Sequence, residues 1–221
     1  MYNFAMVFGK IEYLNLLPFH IFMKRYTRST QESMSMHYRR GVPSQINKQF
    51  LSRRVDAAFI SSISAQKHSH VNLGIVAKKE VKSVIVIPSN TNRDDKESAS
   101  SNVLADILKV DGEVLIGDKA LRYTLKNDNY IDLAKLWNER YKLPFVFALL
   151  CYHKDKKIYK KIEKKFLKQN IKIPYYLLQK ASKRTQIDTK DILEYLAFIS
   201  YSLDSKTNLA LRKFYAEAKK L

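Results

Sequence analysis

A neutral amide, Asn15, stands where an apolar run ending at Ile11 meets Leu16-Leu17-Pro18-Phe19, a segment that opens a helix. Proline is tolerated in a first helical turn because the N–H it lacks would have no partner there. Asn15 is thereby placed at the carboxyl end of a strand and near a helix N-terminus, where unpaired N–H groups and the positive dipole end attract an anion. Two chemistries are open to it. It can cap the helix, or it can grip a carboxylate or hydroxyl of a ligand, since an amide both donates and accepts. Ser61-Ser62 closes a short apolar run and Ser98-Ala99-Ser100-Ser101 opens a helical one, and hydroxyls at such ends either cap or bind carboxylates. Ser83 reads as a strand residue. Its neighbour Lys82 points to the opposite face, so Ser83 lacks an adjacent activating base and is a hydrogen-bond donor or a small hinge residue. Asp118 would repel an anion and reads as a helix cap.

Conventional acid–base, thiol or metal chemistry finds little support in the remaining residues. His20 lies five positions past Asn15, roughly 140 degrees round a helix, so the two do not easily face one cleft. His37, His68, His70 and His153 have no paired acid nearby in sequence and read as surface or structural groups. The single cysteine, Cys151, excludes an internal disulfide and a cysteine-based metal cluster, and its apolar neighbours suit a buried structural thiol. Five glycines in the whole chain leave little material for a dinucleotide or phosphate-binding loop, and neither motif occurs. No metal site is expected.

The elements that must position these residues follow from patterning. At 221 residues and 46% hydrophobic content the chain suits one large domain or two lobes with a well-buried core. No run of about 18 apolar residues and no leader-like N-terminus occurs, which implies a soluble cytoplasmic protein without a membrane partner. A net charge of +19 raises the question of an anionic partner. Within 154–172, nine lysines face Asp155 and Glu163 at helical spacing around Ile158, Ile162, Phe166 and Leu167. Lysines without arginine forks or interleaved aromatics read as a solvated helix face rather than a nucleic-acid groove. Strands are expected near 2–11, 33–39, 56–61 and 72–77, with helices from 16 to 24 and from Pro43, implying a mostly parallel sheet. A strand from 82 to 88 leaves this lobe. A helix near 98–108, a strand at 113–117, a helix capped by Asp118 and a helix at 132–141 follow, and 144–152 returns. Helices at 154–169, 174–184, 188–201 and 205–220 close the chain.

The start Gly9-Lys10-Ile11-Glu12-Tyr13-Leu14-Asn15-Leu16-Leu17-Pro18 resembles that of the chorismate dehydratases of the futalosine route to menaquinone. Further matches follow in order: Gly41 to Asn47, Asp56 to Ile63, Val81-Lys82-Ser83-Val84, Glu97 to Ser101, Leu115 to Leu121, and Leu143 to Ala148, with Tyr195-Leu196 and Phe214 also similar. The resemblance implies an α/β fold of the two-lobed type 2 periplasmic-binding-protein kind, with a ligand cleft between lobes and a helical C-terminal region. Residues 1–84 and 146–221 would form one lobe and 85–145 a second, trimmed one, because only Val110-Asp111-Gly112 stand where a further strand and helix are expected.

The resemblance also implies a reaction: loss of water from the dianion chorismate to give 3-[(1-carboxyvinyl)oxy]benzoate. Aromatisation drives it, so no redox or metal cofactor is required. By motif position Asn15 and Ser83 are the expected catalytic residues, with Ser61, Ser62, Ser98, Ser100 and Ser101 as substrate-binding candidates. None of these is a strong proton acceptor near neutral pH. The substrate's own enolpyruvyl carboxylate is therefore the expected base, with Asn15 and Ser83 holding it, and Glu12 is its strongest rival. Three other functions compete: a non-catalytic anion-binding protein of the same fold, the sister enzyme that forms dihydroxynaphthoate, whose Thr-Pro-Cys-Pro-Asn-Asp-type start is missing here, and a nucleic-acid-binding protein suggested by charge alone.

Overall fold

The computed structural model describes residues 6–29 and 36–221. The strand expectations for residues 2–5 and 33–35 lie outside the described residues. The larger of two sheets has the order β2-β1-β3-β8-β4-β9. It is built from β1 (Met6–Lys10), β2 (Met36–Arg40), β3 (Ala57–Ser61), β4 (His70–Ala77), β8 (Phe145–Tyr152) and β9 (Ile199–Ser202). The smaller, β6-β5-β7, uses β5 (Val84–Pro88), β6 (Gly112–Ile116) and β7 (Ile131–Asp132). Helices α1 (Leu17–Ser29), α2 (Pro43–Leu51) and α3 (Ser62–Ala65) belong to the first lobe, and α4 (Ala99–Leu108), α5 (Gly117–Thr124) and α6 (Leu133–Tyr141) to the second. The C-terminal part carries α7 (Lys156–Leu167), α8 (Tyr175–Thr185), α9 (Thr189–Ala197) and α10 (Ser205–Ala218).

The expectation of a mostly parallel sheet is corrected. In the larger sheet, among the described residues, β1 alone pairs in parallel, with β2 and β3, through the crossover helices α1 and α2. The strand returning from the second lobe, β8, runs antiparallel to both β3 and β4 and is inserted between them. A chain that leaves through one sheet position and comes back beside it must reverse direction, which sequence periodicity does not report. The helix expected over 188–201 is corrected too. It ends at Ala197, and Ile199-Ser-Tyr-Ser alternates as a strand that adds to the sheet edge beside β4.

Two segments join the lobes, residues 78–83 and 142–144. Each contains a lysine in the left-handed region, Lys82 at φ 60° and Lys142 at φ 56°. Asp132 organises both the first crossing and α6. One carboxylate oxygen accepts the N–H groups of Val81 and Lys82 at 2.9 and 2.7 Å, while the other caps α6 by accepting from Ala134 and Lys135.

Aromatic packing fixes the face beneath the site. Phe19 of α1 meets Phe59 of β3 edge-on at 4.9 Å and Phe166 of α7 at 5.3 Å. Helix α7 anchors through Tyr159, Ile162 and Phe166, whereas Leu167, expected on its apolar face, is exposed. Burial of each such side chain contributes roughly 1.5–3 kcal/mol, and the lysines of α7 are left facing solvent. Among the described residues, no helix is long and apolar enough to cross a membrane.

Candidate active site

Between the lobes lies a cavity of about 70 Å³. The larger lobe supplies Asn15 and Ser61 to its wall, the first crossing supplies Ser83, and the smaller lobe supplies Ser98 and Ser101, with apolar surface from Phe59, Ile75 and Phe147. Clefts that hold small organic ligands are typically about 300–1,000 Å³. The lobes are thus drawn close together, and an organic ligand of ordinary size requires them to part.

Asn15 sits within a 3-10 turn, Leu14–Leu16, that precedes α1, and its side chain caps nothing. Its Oδ1 is buried and has no hydrogen-bond partner among the described residues. The capping alternative for Asn15 is therefore not realised. Ser83 lies in the bend before β5 rather than on the strand, because Lys82 takes a left-handed conformation. Lys82 still points away from the site, with its ammonium 4.9 Å from the Phe198 ring centroid. The reason is the backbone reversal and not strand alternation.

Two tyrosines from the C-terminal region, Tyr195 buried and Tyr201 partly buried, hold these two residues. Tyr195 of α9 donates its hydroxyl to Ser83 Oγ at 2.9 Å, and Tyr201 of β9 donates to the Asn15 carbonyl at 2.7 Å. Burial pushes both phenols well above their usual range, so they remain protonated donors.

The other serines divide into two groups. Ser61, Ser98 and Ser101 line the cavity. Ser98 caps α4, accepting from the Ser101 N–H at 3.2 Å and donating to Ser101 Oγ at 2.7 Å, which leaves the Ser101 proton free. Ser61 is clamped from α2 by Asn47, whose Nδ2 donates to Ser61 Oγ at 2.8 Å and whose Oδ1 accepts the Ser61 N–H at 3.2 Å. Ser62 and Ser100 are not among the lining residues. Their hydroxyls meet at 3.1 Å, and Ser100 Oγ also accepts the Ile63 N–H, so the pair ties α3 to α4 across the lobes.

Charged groups form a clasp at the rim. Tyr13 donates to Glu97, and Lys119 lies 2.8 Å from the buried Asp95 carboxylate and 3.8 Å from that of Glu97. Burial, then the hydrogen bond to Glu97 and its charge, raises the Tyr13 phenol far above its ordinary value. Gly117, at φ +65°, packs under the Tyr13 ring, where an added Cβ would come within 2.6 Å of ring carbons. Asp118 does not cap α5, whose N-cap is Ile116. It instead accepts the Leu14 N–H at 3.0 Å and pairs with Arg184 at 2.9 Å, joining the smaller lobe to the turn that carries Asn15.

Conventional bases are held elsewhere. Among the described residues lining the cavity, Tyr13 is the one titratable side chain. Glu12 faces an outer groove, bridged to Lys10 at 3.0 Å and Arg40 at 3.6 Å. Partial burial pulls its pKa up, but those cations outweigh it and hold the carboxyl below its ordinary value. His20 Nε2 donates to the Ile11 carbonyl at 2.8 Å, and burial pushes its pKa down to about 4. It is a neutral structural histidine on the wall of the same outer groove.

Asn47, Tyr195 and Tyr201 are the residues that sequence reasoning did not assign to the site. A signal existed for Asn47, a polar residue between Ile46 and Phe50 on the buried face of α2. Tyr195 had one in its position within the matched C-terminal segment.

Comparison with known proteins follows from this geometry. A family profile described as menaquinone biosynthesis matches residues 6–108 and 96–220. The chain is 47% identical over 220 residues to a protein of Campylobacter jejuni subsp. jejuni serotype O:23/36 (strain 81-176) named chorismate dehydratase, covering 98% of this chain and 99% of that protein. The short second lobe is therefore matched in a relative of nearly the same extent. Among solved structures, protein AF1704 of Archaeoglobus fulgidus superposes with a TM-score of 0.68 at 12% identity, covering 98% of this chain and 97% of that one. The periplasmic aliphatic sulphonate binding protein SsuA of Escherichia coli does so with a TM-score of 0.60 at 12% identity, covering 98% and 87%. At such identities the likeness concerns the fold, which is the two-lobed periplasmic-binding-protein kind.

Proposed function

This chain belongs to the menaquinone biosynthesis family, and from that premise we propose that it is a chorismate dehydratase, a hydro-lyase acting in the interlobe cavity. It converts chorismate to 3-[(1-carboxyvinyl)oxy]benzoate and water, the reaction class named for its 47%-identical relative. The lobes that close on the substrate are residues 1–84 with 146–221, and 85–145. This division is supported by the two sheets, whose strands fall on either side of it to within a residue.

One observation carries the mechanism: the cavity wall offers amide and hydroxyl groups but no carboxylate, imidazole or amine among the described residues that line it. The substrate then supplies the base. Its enolpyruvyl carboxylate, tethered beside C3, takes the C3 proton, and the freed electron pair becomes the C3–C4 double bond of the aromatic ring. The C4–O bond breaks, and the departing hydroxide takes that proton and leaves as water. A tethered group in reactive geometry has an effective molarity of about 10⁵–10⁸ M, enough to replace a protein base. Asn15 and Ser83 hold the carboxylate and hydroxyl in register, and Ser101, whose proton is free, donates to a remaining oxygen, while Ser61 and Ser98, whose protons go to Ser64 and Ser101, shape the wall beside it.

The ultraviolet spectrum of chorismate incubated with the purified protein, without additives, tests the activity. Its diene absorption should give way to that of a substituted benzoate, and an unchanged spectrum would leave only a binding protein. An analogue with a neutral group in place of the side-chain carboxylate tests the base. It should bind but turn over at least a hundredfold more slowly, the order lost with a general base, while Glu12→Gln keeps turnover within about twofold, as expected for a partly exposed ion pair.

A further inference from the structure

Tyr195 bonds one of the two proposed catalytic residues without itself lining the cavity. The residue is 3% exposed, and its phenol carries one proton, which goes to Ser83 Oγ at 2.9 Å. With that proton committed to Ser83 Oγ, the Ser83 hydroxyl is left to donate elsewhere. Two groups are left over for the cavity: the Ser83 O–H, and Asn15 Oδ1, which is buried and without a partner among the described residues. A buried acceptor calls for a donor. The chorismate dianion has one O–H, the ring hydroxyl at C4, and its carboxylates can only accept.

We propose that Tyr195 is a positioning residue that sets the direction of the Ser83 hydroxyl, so that Ser83 donates to a substrate carboxylate while Asn15 Oδ1 accepts from the ring hydroxyl. The assignment rests on the proposed chorismate dehydratase reading. It also divides the labour between the two residues, with Ser83 orienting the base and Asn15 orienting the group that departs. Tyr201, bonded to the Asn15 carbonyl, keeps the backbone of the turn in place.

A double-variant cycle on chorismate turnover tests it. Tyr195→Phe keeps the ring and removes one neutral hydrogen bond, so kcat should fall by about threefold to tenfold, with a smaller change in KM. Because Tyr195 acts through Ser83, Tyr195→Phe in a Ser83→Ala background should cost less than about twofold more. Multiplying losses, or a Tyr195→Phe variant as fast as wild type while Ser83→Ala is slow, would overturn the positioning role. Product binding, measured by titration calorimetry with 3-[(1-carboxyvinyl)oxy]benzoate, gives a second readout that does not need Tyr195→Phe to fold. The product has lost the hydroxyl, so Ser83→Ala should weaken it about threefold or more while Asn15→Ala leaves it within about twofold. Equal weakening by both refutes the division of roles. Wild-type turnover by Ser83→Ala would instead overturn the underlying site reading.

Discussion

The two sides of the cleft are built differently. On the larger-lobe side, Asn15 and Ser83 are neutral groups held by neutral donors, the hydroxyls of Tyr201 and Tyr195. On the smaller-lobe rim, Lys119 pairs with Asp95 and Glu97 of the same lobe, and Asp118 pairs across the cleft with Arg184 of the larger lobe. Buried neutral hydrogen bonds fix direction and can be aimed at a dianion without repelling it. The cross-lobe pair, whose Arg184 is partly exposed, can break and reform as the lobes part. The division suggests that chemistry depends on the first set and capture on the second.

The sharpest way to break the comparison is at Asn15 and Ser83. Asn15→Ala and Ser83→Ala are each expected to lower kcat by about 10²–10³, the cost of removing an oriented hydrogen bond from a reacting centre. Steady-state kinetics on variants with wild-type melting behaviour measures this, and turnover near wild type in both would remove them from the site.

Asp132 sharpens it from the hinge. Asp132→Ala orphans buried N–H groups at Val81 and Lys82 and uncaps α6, and should destabilise the fold by about 2–4 kcal/mol in a denaturant titration. A loss below about 1 kcal/mol would mean that the crossing before Ser83 is held by other contacts.

The rim should behave more mildly. Glu97→Gln keeps an acceptor for Tyr13 but weakens the pairing with Lys119, so kcat/KM should fall less than about fivefold with kcat nearly unchanged. A kcat loss as large as that of Asn15→Ala would place Glu97 with the chemistry instead.

The smallest expected effect is that of salt. The +19 charge should speed encounter with a dianion, so raising ionic strength lowers kcat/KM more than kcat, by a few-fold over about 0.05–0.5 M salt. Equal indifference of both to salt would leave the lysine-rich face of α7 with no part in capture.

Much of the larger lobe was legible in the chain. The apolar runs at 56–61 and 72–77 are β3 and β4 in nearly the expected places, and Val42-Pro43 begins α2. The strand β9 was read as the end of a helix because Ile199 to Ser202 is short and follows α9 almost directly, so the helical period continues past its true stop.

By itself, the sequence determined which residues could meet a dianion: Asn15, Ser83 and the serines at element ends are local signals, set by residue type and by proximity to strand and helix termini. Only the tertiary structure decided which of these serines face the cavity and which are spent on one another, since Ser61 and Ser62 are adjacent in the chain but point into different environments. It alone also brought Tyr195 to Ser83 across 112 positions and Tyr201 to Asn15 across 186. The direction of a hydrogen bond depends on which partner has already committed its proton, and that is settled where distant segments pack together.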